Sequence, residues 1–460
     1  MARGSFGRSF KRLLILVGVL AVIFGCVAAL RTGPPPQVTI TSEIPGIGKR
    51  TPVTIKVEEP KRGLAGFRVE LVQGDRVEPL DEHTFAPLEP WEFWGSRTPS
   101  EELTVDVGSE TVKGLKEGDA TVRVVAKRAG ALLRSPDPVV QELKLPVRLK
   151  PPTLEVLSHN TYVDQGGCEV VVYRVGPSAV RDGIEAGKWW FPGFPLPGGG
   201  PQERFALFAV PYDMPETSGV RLVAGDEVHN ESRASFIDRF RPRPFKTDRI
   251  ELNDDFIRRA VPAIFDQTPE LTASGDSLAD FLTVNGDLRR RNAATLAELA
   301  GRSKPEFLWR QPFLPMRNAQ VMSSFADRRT YVYQGRAVDQ QDHLGFDLAS
   351  TSRAEIQAAN DGVVVLARYF GIYGNTVVID HGYGLLTLYG HLSTIDVQEG
   401  ESVARGDAVG RSGATGLAGG DHLHFTILLQ GLPVNPAEWW DPHWIQDRLD
   451  LKLAAALPFE

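Results

Sequence analysis

Cysteine is nearly absent from this chain: two in 460 residues, Cys26 and Cys168. The first lies in an apolar run and the second far from it, which argues against a disulfide framework. A basic excess is missing too. Lys and Arg number 51 against 58 Asp and Glu, a net charge of −7, so the chain lacks the basic surface of a general nucleic-acid binder. Hydrophobic (42%) and charged (24%) fractions are those of a globular protein, which excludes wholesale disorder. Histidine is scarce, with nine in all. Five of the nine fall between residues 343 and 424, and that clustering is the strongest compositional signal.

The N-terminus reads as a membrane signal. MARGSFGRSFKR carries Arg3, Arg8, Lys11 and Arg12 and no acid. Residues 13–30, LLILVGVLAVIFGCVAAL, follow without a charge. As a helix they span about 27 Å, close to the hydrocarbon thickness of a bilayer. Basic residues ahead of the run stay in the cytoplasm, which sends everything after Arg31 outward. The run is longer than a usual signal-peptide core, so the expectation is an uncleaved, single-pass anchor in a bacterial inner (cytoplasmic) membrane, with residues 31–460 on the periplasmic side. Val27-Ala28-Ala29 is the cleavage site of the competing signal-peptide reading. A lipoprotein reading of IFGC, ending at Cys26, is weakened by bulky Phe24.

After the stiff exit RTGPPPQ (31–37), short alternating stretches recur: QVTITS, TPVTIKVEE, FRVELVQG, ELTVDVG, ATVRVVAKR. Gly, Pro and Asp turns separate them, the pattern of an antiparallel sandwich. PVRLKPPTLEV marks a boundary near 150, and CEVVVYRV, ERFALFAVPYD and GVRLVAGDEV form a second strand-rich module. From about 250 the period becomes helical, in NDDFIRRAVPAIFDQ and GDLRRRNAATLAELAGRS, with Asn253 and Asp287 as expected N-caps. Strands return from about 306 and run to PAEWWDPHWIQDRL, a closing loop and short helix.

The chemistry concentrates in DHLHF, 421–425. In a strand, side chains two apart share a face. His422 and His424 then face one site, and Leu423 and Phe425 face an apolar side. DHLGFDLAS (342–350) supplies His343 and Asp347, an even spacing that puts both on one face of an extended segment. Imidazole nitrogen and carboxylate oxygen are good zinc ligands, and a catalytic zinc keeps three protein ligands plus water. Two histidines and one carboxylate fill that count and leave a third histidine for chemistry. His391, in LLTLYGHLS, is a further candidate. His381 sits in hairpin-turn chemistry and reads as structural. His83, His159, His229 and His443 have no partners in sequence. The run GRSGATGLAGGD (410–421) lacks a Gly-Lys-Ser/Thr ending and opens a strand, so it reads as a rim for an extended substrate rather than a phosphate loop. The chain has no H-E-x-x-H, which excludes the helix-borne zinc arrangement.

Jointly, VMSSFADR, HLGFDLAS, IQAANDGVVVLA, YGNTVVIDHGYGLLTLYGHLS, VQEGESVARGDAVGRSGATG, DHLHF and LPVNP resemble the lysostaphin-type zinc endopeptidases that cleave peptidoglycan peptides. The resemblance covers 319–436. It implies zinc ligands His343, Asp347 and His424, unliganded catalytic histidines His391 and His422, one Zn2+ per chain, and a compact antiparallel β domain with a groove over the metal. The family often has an acid after H-L-H-F, where this chain has Thr426. The expected fold is mainly β. A basic tail (1–12) and transmembrane helix (13–30) lead to two β-sandwich, immunoglobulin-like modules (37–150 and 151–248). A helical connector (249–305), a zinc peptidase domain (306–445) able to fold alone and a C-terminal tail (446–460) follow. The expected function is a membrane-anchored zinc endopeptidase that hydrolyses peptidoglycan cross-links. The alternative is a catalytically silent envelope regulator that recruits or activates a cell-wall hydrolase. Expected partners are peptidoglycan peptides, the membrane and an envelope protein docking on the β modules, with no nucleic acid.

Overall fold

The computed structural model describes residues 5–458. The charge-free run is helical within Ser5–Leu30. Phe10–Leu30 is, among the described residues, the one helix long and apolar enough to cross a membrane, as an anchor or a signal sequence. The remaining chain is mainly β and divides into two compact units, residues 1–152 with 225–231, and residues 153–224 with 232–460.

In the first unit, Gln37–Ser42, Thr51–Glu58 and Ser100–Val107 form a three-stranded antiparallel sheet. Arg76–Thr84, Gly66–Gln73, Gly118–Lys127 and Val139–Val147 form a four-stranded one. Val53, Ile55 and Val57 from the first sheet and Phe67, Val69, Val122 and Val124 from the second join one core. The period-2 alternation read in the sequence is what turns these residues inward.

The second unit is built around an eight-stranded sheet. Its order runs Gln320–Ser323, Phe346–Ala349, Leu423–Leu429, Leu385–Leu392, Asn375–Asp380, Gly362–Tyr369, Ser402–Val403, with Leu432–Val434 pairing Leu423–Leu429. Both faces are buried. Val377, Ile379, Tyr389, Phe425 and Ile427 belong to a core that also takes in Val170, Phe205 and Phe208 from residues 153–224. Val378, Leu388 and Leu428, on the opposite face, pack under Leu296 and Ala300 of the helix Arg289–Ala300. The helical stretch is therefore a cover for the sheet as well as a connection. The core also runs without a break across residue 306, since Phe307 and Trp309 sit in the same cluster as the strands before and after them.

Two sequence expectations are corrected here. Asn253 does cap Asp254–Asp266, accepting from the Phe256 N–H at 2.8 Å. Asp287 does not cap a helix. The next helix starts at Ser277 under Asp276, which accepts from the Ala279 N–H, and continues through a π-helical turn, Val284–Leu288, into Arg289–Ala300. Gly275 supplies the turn that lets the chain enter there, with φ +87°. Residues 342–350 are likewise not one extended segment. His343 ends the strand Arg336–His343 and Asp347 lies in Phe346–Ala349, with a break at Leu344-Gly345. A side chain at Gly345 would collide with Phe425 O, Thr426 Oγ1 and the His424 ring, so the kink and the glycine go together.

Candidate active site

Strand pairing assembles the site. Asp347 is directly opposite His424 across Phe346–Ala349 and Leu423–Leu429, and His424 is opposite Gly390 on its other side. His391 follows Gly390, and its backbone takes φ +63° at the end of its strand. That left-handed conformation is sparsely populated for a non-glycine residue and costs of order 1–3 kcal/mol. His422 enters just before its strand, bridged to Gly413. As expected from parity, Leu423 and Phe425 point into the core.

Among the described residues, His343, Asp347 and His424 bring ligand atoms within 4.8 Å of one another. All three are buried. His343 Nε2 is 2.9 Å from Asp347 Oδ1 and 3.0 Å from His424 Nδ1, and His424 Nδ1 is 2.9 Å from Asp347 Oδ1. The other ring nitrogens fix the tautomers. His343 Nδ1 meets the Ser324 carbonyl at 3.1 Å and must carry the proton. Thr426 donates its hydroxyl to Leu344 O at 2.9 Å, so its oxygen accepts from His424 Nε2–H at 3.0 Å. Three proton-free acceptors therefore converge, and convergent acceptors without a donor call for a cation. Two nitrogens and one carboxylate, each oriented by an outer hydrogen bond, are a donor set that can hold a metal.

The remaining histidines stand beside this group. The ring of His391 lies 4.8 Å from that of His422 and 5.7 Å from that of His424. His391 Nδ1–H donates to Thr415 O at 2.8 Å, and His422 Nδ1–H donates to Gly420 O at 2.8 Å. His391 keeps an unprotonated Nε2. That of His422 is 3.5 Å from Asp347 Oδ1, and although burial lowers the His422 pKa, the Asp347 carboxylate outweighs it and holds the imidazole above its usual value. The two carbonyls belong to the glycine-rich run, so that run orients both rings as well as bordering the cleft. His381 lies apart. It is fully buried between Asp361 O, at 2.7 Å, and Thr387 Oγ1, at 2.8 Å.

Electrostatics follow from burial and proximity. Burial opposes the charge of Asp347, but His343, His422 and His424 outweigh it and hold the carboxyl well below its usual range. Burial pulls His424 down to about 4 and, with His422 and His424 as neighbours, holds His391 well below the usual imidazole value. Neutral imidazole is the form a metal takes.

Sequence reading assigned no role to four contributors. Arg329 donates to Asp347 Oδ2 at 2.7 Å, leaving Oδ1 to face the histidines. Asp421 pins the start of the H-L-H strand by accepting from Ser412 Oγ at 2.6 Å and from the Arg353 N–H at 3.0 Å. Thr426 and Thr415 set ring tautomers as described. Beside Asp347 and His422 opens a cavity of about 680 Å3. Its far wall comes from Leu252, Phe256 and Arg259, outside the stretch that carries the resemblance.

Comparison with known proteins bears on this site directly. Residues 341–436 match the model of peptidase family M23. The chain is 34% identical over 172 residues to the peptidoglycan DD-endopeptidase ShyA of Vibrio cholerae, covering 37% of this chain and 35% of that protein. It is 42% identical over 94 residues to the DD-carboxypeptidase/endopeptidase Mpg of Neisseria meningitidis, covering 20% and 22%. A crystal structure of a zinc-containing peptidase from Vibrio cholerae aligns at 34% identity over 28% of this chain and 40% of that one, with a TM-score of 0.25. The chain thus spans about a third or less of the length of these curated relatives. The matched stretch, residues 341–436, holds His343, Asp347, His391, His422 and His424 together and is similar to peptidase family M23.

Proposed function

We propose that this protein is a membrane-anchored zinc endopeptidase that hydrolyses peptide cross-links of peptidoglycan, with residues 31–460 outside the cytoplasmic membrane. The observation that carries the reading is the convergence of His343 Nε2, Asp347 Oδ1 and His424 Nδ1, each 2.9–3.0 Å from the other two. The substrate class follows the named activity of the relatives. Within the proposal, 306–445 is the catalytic part, 151–248 and 249–305 pack against it, and 37–150 is an immunoglobulin-like module next to the anchor.

His343, Asp347 and His424 would hold the metal. Bound there, zinc would supply Lewis acidity, polarising a scissile carbonyl and lowering the pKa of bound water to about 7. The chain's own residues do the rest. Asp347 offers Oδ1 because Arg329 occupies Oδ2. His391 and His422 turn Nε2 to the reaction because backbone carbonyls hold their Nδ1–H groups. They orient the attacking water, steady the developing oxyanion and move protons.

The test uses the full-length chain in detergent, with metal content and cleavage of cross-linked muropeptides measured on each variant. His424→Ala removes a ligand, so metal and activity fall together. His391→Ala leaves the three ligands in place, so metal stays while turnover drops by roughly 10²–10⁴. Loss of metal in His391→Ala with retention in His424→Ala reverses the roles. A wild-type chain that holds zinc and cleaves no wall peptide leaves the regulatory alternative standing.

A further inference from the structure

The first unit exposes large apolar side chains in two loops. Trp94 is 82% exposed and Phe93 52%, in the loop between Arg76–Thr84 and Ser100–Val107. Leu133 is 78% exposed and Leu132 69%, after Gly118–Lys127. Such side chains on a soluble surface mark a contact waiting for a partner. Their position identifies it. Both loops are fastened to the end of the apolar N-terminal helix.

The fastening is specific. The last turn of a helix leaves carbonyls without partners, and the Leu133 N–H caps that of Ala29 at 3.1 Å. Arg31, the first residue past the helix, donates to Pro90 O at 3.1 Å and Glu92 O at 2.8 Å and lies 4.2 Å over the Phe93 ring. Buried Arg62 ties all three segments together. It donates to Arg31 O at 3.0 Å, to Gly130 O at 2.6 Å and to Leu88 O at 2.8 Å. Leu132 and Leu133 therefore abut the final turn of Phe10–Leu30, and the tryptophan loop is held beside the residue that leaves it.

We propose that these loops, Trp94 and Phe93 held by Arg31 and Leu132-Leu133 held at Ala29, form a membrane-docking face seated in the outer interface of the same bilayer. The inference rests on the anchor reading given above. Tryptophan favours the headgroup level, where an apolar ring and a polar N–H are both satisfied. Exposed Arg134, next to Leu133, extends to lipid phosphates while its stem stays apolar. The consequence is orientation. A flexible linker would let the first unit swivel, whereas three clamped segments hold it at a fixed tilt against the membrane.

The test is spin-label depth in the full-length chain reconstituted in phosphatidylethanolamine–phosphatidylglycerol vesicles. Cys26 is exposed on the helix and Cys168 is buried, so the native chain labels at Cys26. Trp94→Cys, Leu132→Cys and Asp75→Cys are made in a Cys26→Ser background. Asp75 is exposed in the turn after Gly66–Gln73, whose other end adjoins the Arg62 clamp. Eight residues of strand put it about 26 Å away. The oxygen-to-nickel accessibility ratio at 94 and 132 should approach that at 26 and exceed that at 75 several-fold. If 94 and 132 match 75 while 26 reads as lipid, the anchor stands and the docking face is overturned, leaving a wall polymer as the partner of the aromatic loop. If 26 itself reads as aqueous, the anchor reading fails and takes the docking face with it.

Discussion

Two positions beyond His424, on the same face of its strand, the hydroxyl of Thr426 decides which imidazole nitrogen of His424 turns toward His343 and Asp347. It donates to Leu344 O and so has only its lone pairs to offer His424 Nε2–H. Thr426→Val keeps the shape and removes that acceptor. Metal affinity should fall about 10–100-fold, the usual cost of losing an outer partner, and Thr426→Ser should restore most of it. Chelator competition on the three proteins measures this, and an unchanged affinity in Thr426→Val would show that the tautomer is held by something else. The cluster of His343, Asp347, His422 and His424 was legible because H-x-H and H-x-x-x-D fall together in one strand-rich region, whereas the choice between the two histidines of H-x-H came only from the family resemblance. Thr426 was visible only as a departure from a family pattern, although its i+2 parity with His424 pointed to the role. Arg329 gave no signal, since it reaches Asp347 from the separate strand Asp327–Tyr333.

At the scale of elements, alternation located the strands and a change of period located the helices. What it could not show was where an element bends. The break at Leu344-Gly345 goes with crowding by Phe425, Thr426 and His424, partners distant in sequence, and the left-handed φ of His391 leaves no trace in the alternation. The hairpin of Asn375–Asp380 and Leu385–Leu392 is the clearest case. Its turn chemistry was evident, but His381 after its first strand is fully buried, packed 4.9 Å from the Phe313 ring. Burial pulls its pKa down to about 4, so the ring is a neutral bridge between Asp361 O and Thr387. His381→Ala opens a cavity and strands both partners, each buried unsatisfied group costing about 1–3 kcal/mol. The expected result is a clearly lower unfolding temperature with metal content unchanged. Loss of metal at an unchanged unfolding temperature would move His381 into the site.

Across the second unit, the Pro-rich boundaries suggested modules that stand alone, yet the packing is shared. Tyr383, in the turn of that hairpin, meets Phe194 at 4.7 Å, Phe205 at 5.0 Å and Phe307 at 4.6 Å. Such pairing joins stretches from about 76 to 189 residues apart, and apolar residues in a sequence do not say which partner they will cover. The same seam contains an ionisable group. Glu438, in Pro436–Trp440, is buried and accepts from the Cys168 N–H at 2.7 Å. Burial pushes its pKa from 4.5 up to about 8; the Cys168 N–H opposes this and Asp164 adds to it. Below pH 4.5 the folded and unfolded chains are both protonated there, and Glu438 contributes no pH dependence. Between 4.5 and about 8 the folded chain keeps a proton that the unfolded chain has released. Stability then falls as pH rises, by up to about 1.4 kcal/mol per pH unit. Glu438→Gln can still accept from Cys168 and has no proton to lose. Its unfolding temperature should stay close to wild type at pH 5 and rise progressively above it toward pH 8, with zinc held constant. Thermal unfolding of the two proteins across that range isolates the one group, because every other titration is common to both. A gap that does not widen with pH would mean that the seam accommodates the ionised carboxylate.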